Sequence, residues 1–197
     1  MPPQSLRLFV ACELPDGVRR ALGELQDGLR RVLPRKDVRL RWVRPEGIHL
    51  TLKFLGEVDA ERVGEIERAL AGAIEPFEAR VRPAGLNGFG VRRLRVVWVG
   101  LEGDIERLAG LGGRIDGALA SLGFPRERRP FAPHLTLARV PDEASPQDRR
   151  DLARLLEGYP MPELPSMRLT EVHLIRSTLG PGGSVYQRLA TFPGTNA

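Results

Sequence analysis

The 197-residue chain has one cysteine, two lysines and few aromatics: two Trp, two Tyr and seven Phe. A lone Cys12 cannot close an internal disulfide, and no Cys-x-x-Cys spacing exists to suggest metal or redox chemistry. Cys12 therefore reads as a small buried apolar residue, and a reducing cytoplasm is the expected setting. No apolar run approaches the roughly 20 residues that a membrane helix needs. The early stretch LFVAC, Leu8 to Cys12, is cut short by Glu13 and Asp16, which indicates neither secretion nor membrane insertion. Also missing are the G-x-x-x-x-G-K-[ST] phosphate loop and the G-x-S-x-G nucleophile elbow. The glycines of GLNGFG lack the strand-turn-helix context of a dinucleotide fingerprint, so ATP is not implied. No segment is of low complexity.

What remains is an ordinary globular composition, 42% hydrophobic and 28% charged, long enough to bury a core as a single domain over residues 1–197. The net charge is +5 and the pI about 10.3. Because only Lys36 and Lys53 are lysines, nearly all the positive charge is arginine. Arginine's planar fork suits phosphate, which points to a polyanionic partner. An arginine-favouring codon usage with a solvated basic surface accounts for the charge equally well.

Hydrophobic periodicity gives the elements. LRLFVACEL, Leu6 to Leu14, reads as a strand, followed by a helix that Asp16 caps and that carries Val18, Leu22, Leu25, Leu29 and Val32 on one face. Val38–Val43 and IHLTLKFLG read as strands separated by Arg44-Pro45. Asp59 opens a helix along Val63, Ile66, Leu70 and Ile74. FEARV and RVVWVG follow as strands, with PAGLNGFGVRR between them as a loop. Asp104 opens a third helix ending near Gly123, and HLTLARV is the next strand. Ser145-Pro146-Gln147-Asp148 has the pattern of a capping box for a short helix through Leu155. YPMPELP, from Tyr159, is a stiff connection. MRLTEVHLIRS and SVYQRLATF end the chain as strands joined by LGPGG. Short helices mixed with adjacent strands predict an α+β fold with antiparallel sheets.

One phrase occurs twice: RPEGIHLTL from Arg44 and RPFAPHLTL from Arg129, six of nine positions identical at an offset of 85. The spacing is too wide for a solenoid, so it predicts two similar lobes related by a pseudo-twofold. In a strand His49 and Thr51 share one face while Leu50 and Leu52 share the other, and the same holds for His134 and Thr136 against Leu135 and Leu137. If the lobes pair about the twofold, two imidazoles and two hydroxyls meet across one cleft. Histidines titrating near pH 6.5 can act as a facing acid and base, which suits displacement at phosphorus with threonine hydroxyls donating to the non-bridging oxygens. A metal site fits less well, because neither phrase holds a Cys or carboxylate to complete a ligand set. A duplicated core strand without catalytic function is the structural alternative. His173 lacks a threonine two places on and reads as structural.

The paired H-L-T-L phrases, with RLFVACELP, RWVRPEGIHLTLKFLGEV, GFG, VVWVG and RRPFAPHLTLARV, resemble the two-histidine (2H) phosphoesterase superfamily over nearly the whole chain. The likeness is to its bacterial and archaeal RNA 2′,3′-cyclic phosphodiesterases, historically called 2′-5′ RNA ligases. It implies a bilobal α+β fold, two antiparallel sheets flanking a central cleft with helices outside, and hydrolysis of a terminal 2′,3′-cyclic phosphate to a 2′-phosphomonoester, with reversible 2′-5′ joining in some members. It implies no metal or nucleotide cofactor, and RNA ends, tRNA fragments among them, as partners, with no obligate protein partner. His49 would be the proton donor and His134 the base. Thr51, Thr136 and Arg139 would hold the substrate. Strict alternation, however, turns Arg139 away from His134, so either the strand ends or bulges there or Arg139 lies outside the site. Lys53, sharing the face of His49 by alternation, is either a cleft residue or a solvated rim charge. Phe9 is either a base-stacking residue or core. A non-catalytic module that binds RNA ends through its arginines is the alternative function.

Overall fold

The computed structural model describes residues 5–33, 40–89, 94–180 and 183–193. In chain order the elements are β1 (Ser5–Glu13), α1 (Asp16–Val32), β2 (Arg41–Trp42), β3 (His49–Asp59), α2 (Val63–Ala73), β4 (Ala79–Phe89), β5 (Val96–Gly103), α3 (Ile105–Ala120), β6 (His134–Arg139), α4 (Pro146–Gly158), β7 (Met167–Leu169), β8 (Glu171–Gly180) and β9 (Gly183–Pro193). Short 3₁₀ turns, Pro45–Gly47 and Ala60–Arg62, precede β3 and α2. The fold is α+β and antiparallel throughout. Its strands run in the order β7-β4-β5-β6-β3-β1-β8-β9, with β2 also on β6.

The two expected halves meet at one residue pair, Leu50 of β3 opposite Leu135 of β6. These are the same position of the two repeated phrases, so the pseudo-twofold passes between them. Around it β3 corresponds to β6 and β1 to β5. Each half is completed from elsewhere in the chain: β4, which follows β3 and α2, pairs with β5, and β8, which follows β6 and α4, pairs with β1. Helix-facing side chains form one core that includes Leu8, Val10, Leu22, Leu29, Leu50, Ile66, Leu108, Ile115 and Leu135. Phe9, Ala11 and Ile175 form a small separate cluster on the opposite face of the sheet.

Several local expectations change. Asp16 is the first residue of α1 rather than its cap, which is Pro15, and Val32 is 51% exposed because the apolar stripe ends before it. Asp104 sits at the cap of α3, yet its carboxylate accepts from the Arg80 N–H of β4 instead of capping. Pro83–Phe89 is strand, not loop, because β5 pairs along it as far as Phe89↔Val96; the rest of that expected loop, residues 90–93, lies outside the described residues. The strand expected over Val38–Val43 is ordered as a ladder only at Arg41–Trp42, and residues 38–39 are outside the described residues. The same is true of residues 181–182 in LGPGG. MRLTEVHLIRS is two strands on opposite halves: β7 pairs with β4 and β8 with β1. The capping box at Ser145 is present, with Asp148 N–H donating to Ser145 Oγ at 3.1 Å and Ser145 N–H to Asp148 Oδ2 at 2.7 Å. Cys12 is fully buried, which pushes its thiol up to about 12.

The two repeated strands share a β-bulge. Val10 and Ala11 of β1 face Lys53 and Thr51, leaving Leu52 as the extra residue in β3. Val97 and Trp98 of β5 face Ala138 and Thr136, leaving Leu137 as the extra residue in β6. A bulge resets alternation, so in both strands two consecutive residues are buried. Lys53 is thereby turned from the His49 face to the helical side, where it is only 3% exposed. There Nζ donates to Asp116 Oδ1 of α3 and to the Pro125 carbonyl, both at 2.6 Å, and to Glu127 Oε1 at 3.5 Å. Burial works to raise the Asp116 carboxyl, but the Lys53 hydrogen bond, the Glu127 N–H and the Lys53 charge hold it below the usual range. Stripping one partner from a buried pair costs roughly 3–5 kcal/mol, whereas replacing both by apolar groups is often near neutral. Asp116→Ala should therefore lose about 3 kcal/mol in urea unfolding, and Lys53→Met with Asp116→Leu should recover most of it.

Candidate active site

With Leu50 opposite Leu135, antiparallel register sets Thr51 opposite His134 and His49 opposite Thr136. The leucines are fully buried, while His49, Thr51, His134 and Thr136 are each half-buried on the other face. Four side chains of the repeated phrase are thus gathered around the pseudo-twofold.

Both imidazoles are fixed alike. His49 Nδ1 lies 2.8 Å from the Gly47 carbonyl and His134 Nδ1 lies 2.8 Å from the Ala132 carbonyl. A carbonyl only accepts, so each Nδ1 carries the hydrogen and each Nε2 is left as the atom that gains or gives a proton. Before β3, Arg44-Pro45 opens a 3₁₀ turn that ends at Gly47, whose carbonyl accepts from the His49 ring.

The surroundings of the two rings differ. His49 stacks on Phe9 at 4.7 Å between centroids and meets the edge of Tyr186 at 5.2 Å. Phe9, 3% exposed, is therefore the packing surface beneath His49. Tyr186, on β9, could not be found from local pattern, because its position depends on a hairpin returning beside β1. His134 meets the edge of Trp98 at 5.8 Å. Across the ladder His49 faces Glu13 on β1, whereas His134 faces Gly100 on β5. A Cβ at Gly100 would lie 2.8 Å from the Ala84 carbonyl oxygen, so no side chain fits there.

Glu13 was not anticipated. Its Oε2 accepts from Arg188 at 2.7 Å and from Arg19 at 3.4 Å. Burial works to raise its carboxyl, but the Arg188 hydrogen bond and charge, with His173 and Arg19, hold it below the ordinary value and so ionised. Burial drives His49 below the ordinary imidazole value; the Gly47 hydrogen bond and the Glu13 charge oppose that fall, and Arg19 and His134 add to it. His173 is 2% exposed with Nδ1 3.1 Å from Thr191 Oγ1, as befits a structural histidine.

Arg139 follows the bulge at Leu137 and is exposed on the face of His134 and Thr136, which removes the conflict with strict alternation. Lys53 is not with them. Among the described residues no three His, Cys, Asp or Glu side chains gather as a metal-ligand group, and no helix is long and apolar enough to cross a membrane.

Two H-L-T-L strands crossing at their leucines, with both imidazoles on the open face, define a two-histidine phosphoesterase. The chain belongs to the family described as LigT like phosphoesterase, whose model matches residues 13–98 and again 99–186, one H-L-T-L phrase in each. It is 36% identical over 190 residues to the RNA 2′,3′-cyclic phosphodiesterase of Methanothermobacter thermautotrophicus, covering 95% of this chain and 98% of that one. It is 33% identical over 195 residues to the RNA 2′,3′-cyclic phosphodiesterase of Thermus thermophilus, covering 95% and 89%. The crystal structure of E. coli LigT complexed with 3′-AMP is similar with a TM-score of 0.75 and 28% identity, over 98% of this chain and 100% of that one.

Because Glu13 opposes the downward pull of burial, removing its charge should move His49 further down. A Glu13→Gln variant, followed by NMR titration of the His49 ring, should titrate at lower pH than the parent. An unmoved or raised midpoint would remove Glu13 from the account.

Proposed function

We propose that the chain hydrolyses terminal 2′,3′-cyclic phosphates of RNA to 2′-phosphomonoesters, with His49 as acid to the departing 3′ oxygen and His134 as base to water. The carrying observation is the crossing of the two phrases at Leu50 and Leu135, which supports opposed imidazoles over one phosphate. Thr51 and Thr136, each beside the histidine of the other strand, donate to the non-bridging oxygens as charge grows. Arg139 supplies a guanidinium to the RNA on the same face. RNA ends, tRNA fragments among them, are the substrates, and a reducing cytoplasm is the setting.

The division of labour rests on the asymmetry beside the rings. Glu13 stands across from His49 and favours its protonated form; Gly100 occupies the equivalent position across from His134. Burial holds His49 low in the unliganded protein, so the acid form is populated when the anionic phosphate binds between the strands. As the bond to the 3′ oxygen breaks, His49 gives its Nε2 proton to that oxygen. His134 takes the proton of the attacking water, leaving the phosphate on the 2′ oxygen.

General acid–base catalysis contributes roughly 10²–10⁴-fold. His49→Ala and His134→Ala should each cut kcat by about that much on a cyclic-phosphate dinucleotide in chelator, with circular dichroism unchanged. Thr51→Ala and Thr136→Ala should each cost no more than roughly 10²–10³-fold. Full activity in both histidine variants, or a 3′-phosphate product, would refute the mechanism; absence of any product with RNA binding intact would favour the binding module.

A further inference from the structure

Among the described residues β3 and β6 share one ladder pair, Leu50 opposite Leu135. A single pair resists sliding but lets two strands pivot about it, and the leucines packed beneath are held by a non-directional force. Pivoting would change the separation of His49 and His134. Directional contacts that span the two strands on either side of the pair are what set the angle.

Two such contact sets lie on the helical side of the sheet. On one side of the crossing is Gln26 of α1, fully buried, whose Nε2 donates to the Val43 carbonyl at 2.8 Å and to the Leu137 carbonyl at 3.0 Å. The Val43 N–H donates to the same Leu137 carbonyl at 2.9 Å. Leu137 follows His134 by three residues, and Val43 precedes His49 by six. On the other side is Lys53, four residues after His49, whose Nζ donates to Asp116 Oδ1 of α3 and to the Pro125 carbonyl. Asp116 Oδ1 also accepts from the Glu127 N–H at 3.1 Å, and Glu127 precedes His134 by seven residues. Each set therefore ties the strand just past one histidine to the segment that leads into the other. The pseudo-twofold relates them. An offset of 90 residues (108 − 18, 115 − 25 and 119 − 29) lays the buried Leu108, Ile115 and Leu119 of α3 on the buried Val18, Leu25 and Leu29 of α1, and it lays Asp116 on Gln26. The same helical position thus carries, in both halves, a polar side chain that reaches a strand of the other half.

We infer that Gln26 and the Lys53–Asp116 pair are positioning residues for the proposed reaction: two braces behind the sheet that fix the crossing angle of β3 and β6, and with it the spacing of the two imidazoles. The inference rests on the acid and base roles proposed for His49 and His134. Both braces lie on the side of the sheet away from the histidine face, so neither touches substrate. Proton transfer on opposite sides of one phosphorus tolerates little misplacement, whereas binding of the phosphate is more forgiving, so the effect of a brace falls on kcat rather than KM.

The test compares Gln26→Met, and Lys53→Met combined with Asp116→Leu, each in the parent and in His134→Ala. Steady-state hydrolysis of a cyclic-phosphate dinucleotide in chelator and urea unfolding are measured for all. Each brace variant should lower kcat by about 10- to 100-fold with KM within about twofold. The Lys53 and Asp116 combination should do so although its stability is close to that of the parent, which a merely structural role would not produce. In the His134→Ala background the same substitutions should cost less than about twofold, because the spacing of acid and base matters only when both are present. Should Gln26→Met fail to fold, the Lys53 and Asp116 combination decides by the same criteria. Parent kcat in the brace variants, a loss confined to KM, or a loss undiminished in His134→Ala would overturn the braces. Full activity in His134→Ala itself would instead overturn the catalytic reading, and that comparison needs no brace variant, so the two failures are distinct.

Discussion

The pairing of Leu50 with Leu135 is the contact on which the arrangement of the site depends. Two strands that diverge from a single pair leave an open face above it, and alternation places a histidine and a threonine on that face from each strand. The buried faces of the same leucines sit in the common core under α1 and α3. Burying a leucine contributes about 1.5–3 kcal/mol, and here that energy also holds two imidazoles in register across a cleft. The exchange of β4 and β8 between halves ties the crossing down, since neither half of the sheet is complete without a strand from the other part of the chain.

The bulges decide which charged side chain joins the open face: that of β6 turns Arg139 onto it, and that of β3 turns Lys53 away from it. Each is held by a group reaching from the helix of the opposite repeat. The Gln26 amide on α1 donates to the Leu137 carbonyl at 3.0 Å and to the Val43 carbonyl at 2.8 Å, holding the bulge of β6. Lys53, turned inward by the bulge of β3, reaches Asp116 on α3. Both tethers are polar groups in an otherwise apolar interior. Buried polar groups are costly unless hydrogen-bonded, so the only low-energy placement of each strand is the one that satisfies its tether.

The sequence made the repeated phrase, its alternating faces and the α+β class legible, because strand period and helix period are local properties of the chain. What escaped it was non-local. A bulge is defined by the partner strand: nothing in HLTLKF says that Leu52 will be the extra residue, so alternation puts Lys53 on the face of His49, as cleft residue or rim charge, when it lies on the other side of the sheet. The same rule in HLTLAR left Arg139 in conflict with alternation until the bulge at Leu137 resolved it. MRLTEV reads as one continuous strand because its pattern is unbroken, yet its two parts bind opposite halves of the sheet. Glu13 and Tyr186 are 36 and 137 residues from His49 in sequence (49 − 13 and 186 − 49) and reach it only through β1 and the β8–β9 hairpin.

Identical phrases need not perform identical chemistry, because a histidine's proton affinity is set by what surrounds it. His49 has an aromatic bed that excludes water and lowers its affinity, and a carboxylate, held ionised by Arg188 and Arg19, that raises it. Across the ladder from His134 stands Gly100, where the close approach of Ala84 forbids any side chain. The twofold relation puts the two rings in place, and its breakdown in the neighbouring strands gives them different ladder partners. The proposed acid and base, drawn from two copies of one phrase, rest on β1 and β5, equivalent in position, carrying Glu13 and Gly100 at the site that faces each ring.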